Sequence, residues 1–105
     1  MSMETIKQII SLKVNEGLEE LNPHLRSWVE KHLIEPRRIV IFTDIDGITS
    51  RFFWLVTDHI GEEDSSYRVV YDEYGEVFGL EEILDTGKSW YMGSYGTFLN
   101  AIKSM

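Results

Sequence analysis

Two aspartates at the end of an apolar run give the sharpest chemical signal in the chain: Ile39-Val40-Ile41-Phe42-Thr43-Asp44-Ile45-Asp46-Gly47. A carboxylate delivered by a strand can attack phosphorus, and a second one nearby can protonate the leaving group. Mg²⁺ would then offset the charge of both. An acid–x–acid–Gly start also opens calcium loops. Such a loop closes on a bidentate Glu at its twelfth position, which here is Leu55, inside an apolar run. Its third acidic position is missing as well. The remaining use of these residues involves no reaction. Asp and Gly are turn formers, Asp because its side chain bonds nearby main-chain N–H groups.

The string Ile39 to Thr49 resembles the first motif of haloacid-dehalogenase-type phosphatases. That resemblance implies Asp44 as nucleophile, Asp46 as general acid and Mg²⁺ as the metal. The rest of the chain departs from the pattern. The chemistry needs a later Lys, a later acidic pair at a strand end, and a parallel sheet wound with helices. Only 59 residues follow Asp46, and they read as antiparallel strands. Lys88 and Lys103 do not follow suitable strands, and Ile48 stands where Thr or Val is usual. Asp44 to Ser50 is therefore read as the connection of a hairpin, with the phosphatase as the alternative.

The elements that position these residues follow from periodicity. Ile6, Ile9, Ile10, Val14, Leu18 and Leu21 recur at spacings of three and four, which predicts an amphipathic helix over 3–21. Gly17 weakens its last turn. Asn22-Pro23 supplies a cap and a first-turn proline, so a second helix is expected from Pro23 to about Ile34, with Leu25, Trp28, Val29, His32 and Leu33 as its stripe. Glu35-Pro36 should end it. Strands are expected at Ile39–Thr43, Arg51–Thr57, Tyr67–Tyr71 and Glu76–Leu80, with Ser89–Met92 as a fifth. The first two are dense enough in apolar residues for both faces to be covered. Asp72-Glu73-Tyr74-Gly75 and Asp85-Thr86-Gly87-Lys88 read as turns. A closing helix is expected over Tyr95–Met105, capped by Ser94 or Thr97. The fold class is α+β in one domain: two N-terminal helices, a four- to five-stranded antiparallel meander with the helices on one face, and a C-terminal helix.

The chain has 105 residues and a net charge of −8. Residues 1–53 carry seven Lys/Arg against eight Asp/Glu, and residues 54–105 carry three against ten. This balance repels phosphate backbones and disfavours nucleic acid. It attracts a basic protein. No apolar run approaches the roughly 20 residues of a membrane span. The N-terminus lacks the pattern of a secretory signal. Cysteine is absent, which removes thiolate chemistry and fits a reducing cytoplasm. No metal or cofactor is expected. His24 and His32 lie about 12 Å apart along one helix, too far to share an ion. The cluster Asp58, Glu62, Glu63 and Asp64, with His59, reads as a solvated loop. Together with Tyr71, Asp72, Glu73, Tyr74, Trp90 and Tyr91 it forms the predicted binding surface. Tyr71, Tyr74, Trp90 and Tyr91 are the aromatics expected to be partly exposed.

The ending Gly93-Ser94-Tyr95-Gly96-Thr97-Phe98-Leu99-Asn100-Ala101-Ile102 and the Leu21-Asn22-Pro23 helix start resemble the SUKH superfamily. The resemblance implies a small α+β domain, and for many members an immunity protein that neutralises a toxin. The Asn-Gly-Gly-like turn usual after that helix is replaced by Glu35-Pro36-Arg37-Arg38. The expected function is a non-catalytic cytoplasmic domain that binds a basic protein. A homodimer through the open edge of the meander is a further expectation. Hydrolysis of a generic phosphate ester separates the turn from the phosphatase. The turn reading predicts equal background rates for wild type and Asp44→Asn; Mg²⁺-dependent turnover lost in Asp44→Asn would overturn it.

Overall fold

Ser2 opens the first helix by accepting the Thr5 N–H on its hydroxyl. Helix α1 then runs over Met3–Glu19 and buries Ile6, Ile10, Val14 and Leu18. Asn22 caps α2, Pro23–Glu30, by accepting the Leu25 N–H at 2.8 Å. The computed structural model describes residues 2–44, 46–60, 67–83 and 87–105. Five strands follow: β1 (Leu33–Phe42), β2 (Ser50–Thr57), β3 (Tyr67–Asp72), β4 (Val77–Ile83) and β5 (Ser89–Gly96). Helix α3, Phe98–Lys103, closes the chain. Thr97 is its cap and accepts the Asn100 N–H at 3.1 Å. No helix among the described residues is long and apolar enough to cross a membrane.

Helix α2 stops at Glu30, short of the expected Ile34. The His32 N–H bonds back to the Val29 carbonyl, which tightens the last turn, and Leu33 then pairs with Thr57. Strand pairing thus takes residues that the helical stripe had claimed. Trp28, expected within that stripe's buried face, is 38% exposed. Strand β1 begins well before Ile39 and includes Pro36. The register shifts between Leu33 and Arg37, so the missing N–H falls in an irregular stretch.

All neighbours in chain order pair antiparallel, and β5 is a full strand. The meander does not stay open. Phe42 pairs with Trp90 in parallel, which closes the sheet into a five-stranded barrel. The expected open edge is therefore joined at one end. Closure gives the apolar strands two different interiors. Trp54, Val56, Val69, Tyr71, Phe78 and Leu80 face outward and pack under the three helices. Phe53, Leu55, Val70 and Ile41 face into the barrel, where Tyr91 joins them. Each fully buried large side chain here adds about 1.5–3 kcal/mol relative to exposure. The exceptions are Val40 and Phe52, a cross-strand pair 55% and 50% exposed, with the Arg38 guanidinium 4.6 Å from the Phe52 ring.

Two glycines make this packing possible. A Cβ on Gly17 would lie 3.0 Å from Phe98 Cδ2, so the residue that weakens α1 is the one that admits α3. A Cβ on Gly79 would collide with the Tyr91 ring and hydroxyl and with the Gly93 carbonyl. Tyr91 crosses Gly79 to stack on Phe53, with centroids 4.5 Å apart. Gly79→Ala is expected to cost about 1–3 kcal/mol in urea unfolding. Less should be lost in a Tyr91→Ala background, because only the clash with the Gly93 carbonyl then remains.

Candidate functional site

The predicted binding residues that the structure describes do not form one surface. Glu62, Glu63 and Asp64 lie outside the described residues. Asp58 is exposed, and its Oδ1 lies 2.6 Å from His32 Nδ1. Tyr71, expected to be partly exposed, is 2% exposed: strand alternation places it opposite Phe78 and beneath the helices. Tyr74 is 78% exposed at the tip of the β3–β4 turn. Glu73 is half-buried and 3.8 Å from Arg38. Trp90 and Tyr91 are half-buried, as expected, but Tyr91 points into the barrel.

Asp72 is buried as well, and its partner explains why. Arg51 Nη1 and Nη2 donate to Asp72 Oδ1 and Oδ2 at 3.0 and 2.9 Å. The Tyr74 N–H adds a third bond at 3.1 Å. The Arg51 hydrogen bonds hold the Asp72 carboxyl below the usual carboxylate range, helped by the main-chain N–H groups of Gly75 and Tyr74, while burial opposes them. The same bonds raise Arg51. A second fork lies on the same face. Arg68 donates through Nε and Nη2 to Glu81, whose carboxylate is 0% exposed; the Nη2 bond is 2.8 Å. Burial pushes the Tyr91 hydroxyl up, with the hydrogen bond to Ser94 opposing.

Sequence reasoning missed both pairs, although their signal is present. Arg51 is in phase with Phe53 and Leu55, and Arg68 and Asp72 are in phase with Val70. Alternation therefore puts these three charges on an apolar face, where each needs a partner.

The Asp44 carboxylate accepts the N–H groups of Thr49, at 2.8 Å, and Ile48, at 3.1 Å. It is engaged as a turn residue, in the manner expected of a hairpin connection. Among the described residues, no three His, Asp or Glu side chains converge closely enough to hold a metal ion.

A different place gathers carboxylates that lack such a role. A groove of about 470 Å³ runs between the C-terminal half of α1, the start of β4 and the start of α3. Leu99 forms its half-buried floor, over Phe78 and Phe98. Glu16, Glu20 and Glu76 stand on its rim, all exposed, and none lies within 4.0 Å of a cation among the described residues. Lys13 also lines it, with its ammonium 5.8 Å from the Tyr71 ring.

Each of the three acids is locally unfavourable. Glu16 and Glu20 are like charges one helical turn apart, which costs a few tenths of a kcal/mol. They also sit at the carbonyl end of α1, whose last turn holds no basic residue, and anions there oppose the helix dipole by about 0.3–1 kcal/mol. Glu76 has φ 54, the left-handed region, which costs a non-glycine residue about 1–2 kcal/mol. The expected turn glycine, Gly75, does not take up that conformation; Glu76 does. No family model matches the chain, and no curated protein or solved structure matches it either.

Asp72 sets an acid limit on stability. Its folded carboxyl lies below the unfolded value near 3.9, so the pair contributes fully above about pH 4 and is lost as pH falls through the folded value. In urea titrations from about pH 2 to 7, Asp72→Asn should be destabilised at neutral pH by about 2–3 kcal/mol and show a shallower acid limb. An unchanged acid limb would remove Asp72 from this role.

Proposed function

We propose that this chain is a non-catalytic protein-binding domain whose partner presents a basic surface. The observation that carries the reading is the groove rim. Three carboxylates are held at positions where the fold gains nothing from them, and all three surround one apolar-floored depression. Departures from local consistency of this kind concentrate at functional sites.

The charge layout supports the same reading. Five of the ten Lys/Arg are paired with described carboxylates, two of them forked across the barrel interior. The outward field is correspondingly negative, which speeds encounter with a cationic protein and repels nucleic acid. The engaged Asp44 carboxylate supports a domain that acts by binding. An immunity-type role, with a basic toxin as partner in the cytoplasm, follows from the SUKH-like order of elements and is the narrower form of the proposal. The exposed Val40–Phe52 pair favours a second reading, self-association through the outer face of β1 and β2.

Immobilised protein should retain basic proteins of a cell extract, with retention falling as salt rises. The variant Glu16→Gln/Glu20→Gln/Glu76→Gly, with its folding checked by circular dichroism, should lose most of that retention. Undiminished retention by the triple variant would contradict the proposal. Light scattering that shows a concentration-dependent dimer, lost in Phe52→Ser, would favour the second reading instead.

A further inference from the structure

We infer that the groove receives an arginine side chain of the partner, an inference that rests on the protein-binding reading above. The shape of the depression and the order of its chemistry carry the argument. Its floor is carbon, from Leu99 over Phe78 and Phe98, and its rim is carboxylate, from Glu16, Glu20 and Glu76. A ligand that suits both must be apolar along its length and cationic at its tip. Arginine and lysine side chains have that form, since their methylene stems lie on apolar surface while the charged head reaches outward.

Two features favour arginine. The rim carboxylates come from two separate elements, α1 and the β3–β4 turn, so a cation between them is approached from more than one side. A planar guanidinium with five donors can meet carboxylates on more than one edge, and it is less strongly hydrated than an ammonium. The fold itself uses this pairing twice, at Arg51–Asp72 and Arg68–Glu81. The volume also fits. About 470 Å³ lies in the range of roughly 300–1,000 Å³ typical of sites for small groups, enough for one long side chain and the backbone beside it, and too little for a helix. Lys13 is the one cation in the lining. With its ammonium turned toward the Tyr71 ring, the rim keeps an excess of negative charge.

The test uses three Gly/Ser-rich peptides that differ at one central residue: arginine, citrulline, or diaminopropionic acid. Citrulline keeps the stem and removes the charge. Diaminopropionic acid keeps the charge and removes the stem. Binding to the full chain is followed by amide chemical shifts. The arginine peptide should move Gly17, Gly96 and Leu99 and bind at least about tenfold tighter than either of the others. Those shifts should vanish in Glu76→Gln. Equal binding of the diaminopropionic acid peptide would overturn the inference, because charge alone would then account for attraction. The broader protein-binding reading would survive that result. Capture of basic proteins with no shift in the groove from any peptide would also overturn it and move the contact elsewhere on the acidic surface.

Discussion

The partly exposed Arg51 guanidinium and the buried Asp72 carboxylate meet on the inner face of the sheet through two hydrogen bonds. Neither side chain could remain on that face without the other, since an unpaired charge among Phe53, Val70 and Tyr91 would be costly. The pair joins β2 to the end of β3, just before the turn that carries Glu73 to Glu76. Asp72 also accepts the Tyr74 N–H, so the same carboxylate that closes the pair shapes the turn. Glu76 reaches the groove because that turn is fixed. The charge character of the surface follows from the same arrangement. Two arginines and two acids are withdrawn into the barrel as matched pairs, and the acids left outside outnumber the cations around them.

The barrel depends on close approach as much as on charge. Tyr91 lies across Gly79 and stacks on Phe53, bringing β5 and β4 to β2 through the interior. Gly17 performs the corresponding service on the outside by admitting Phe98 against α1. The groove is the remainder of that contact. Beside Gly17, Leu99 is left partly uncovered, and the last turn of α1 supplies its acids to the rim.

The order of elements was legible because it is written in local patterns. The Asn22-Pro23 cap, the Thr97 cap and the change from helical to alternating periodicity near Ile39 each depend on a few adjacent residues. The extents were less legible where a distant partner decided them. Leu33 fits a helical stripe, but its pairing with Thr57 of β2 made it strand. Side-chain direction was the least legible, because density of acids and aromatics says nothing about which way they point. Tyr71 and Asp72 are adjacent, yet one faces the helices and the other Arg51. The groove could not be read from the sequence at all. Its acids come from residues 16, 20 and 76, joined only by the packing of α1 and β4 on α3, and the unusual φ of Glu76 has no sequence mark beside a neighbouring glycine.

The groove acids oppose the stability of the chain that carries them. The unfolding free energy of Glu16→Gln/Glu20→Gln/Glu76→Gly, measured beside wild type in urea at low salt, addresses it most directly. Relief of like-charge repulsion, helix-dipole opposition and left-handed strain predicts a gain of about 1.5–3.5 kcal/mol. A variant less stable than wild type would contradict the account, because the three carboxylates would then be supporting the fold, and their placement would require no partner.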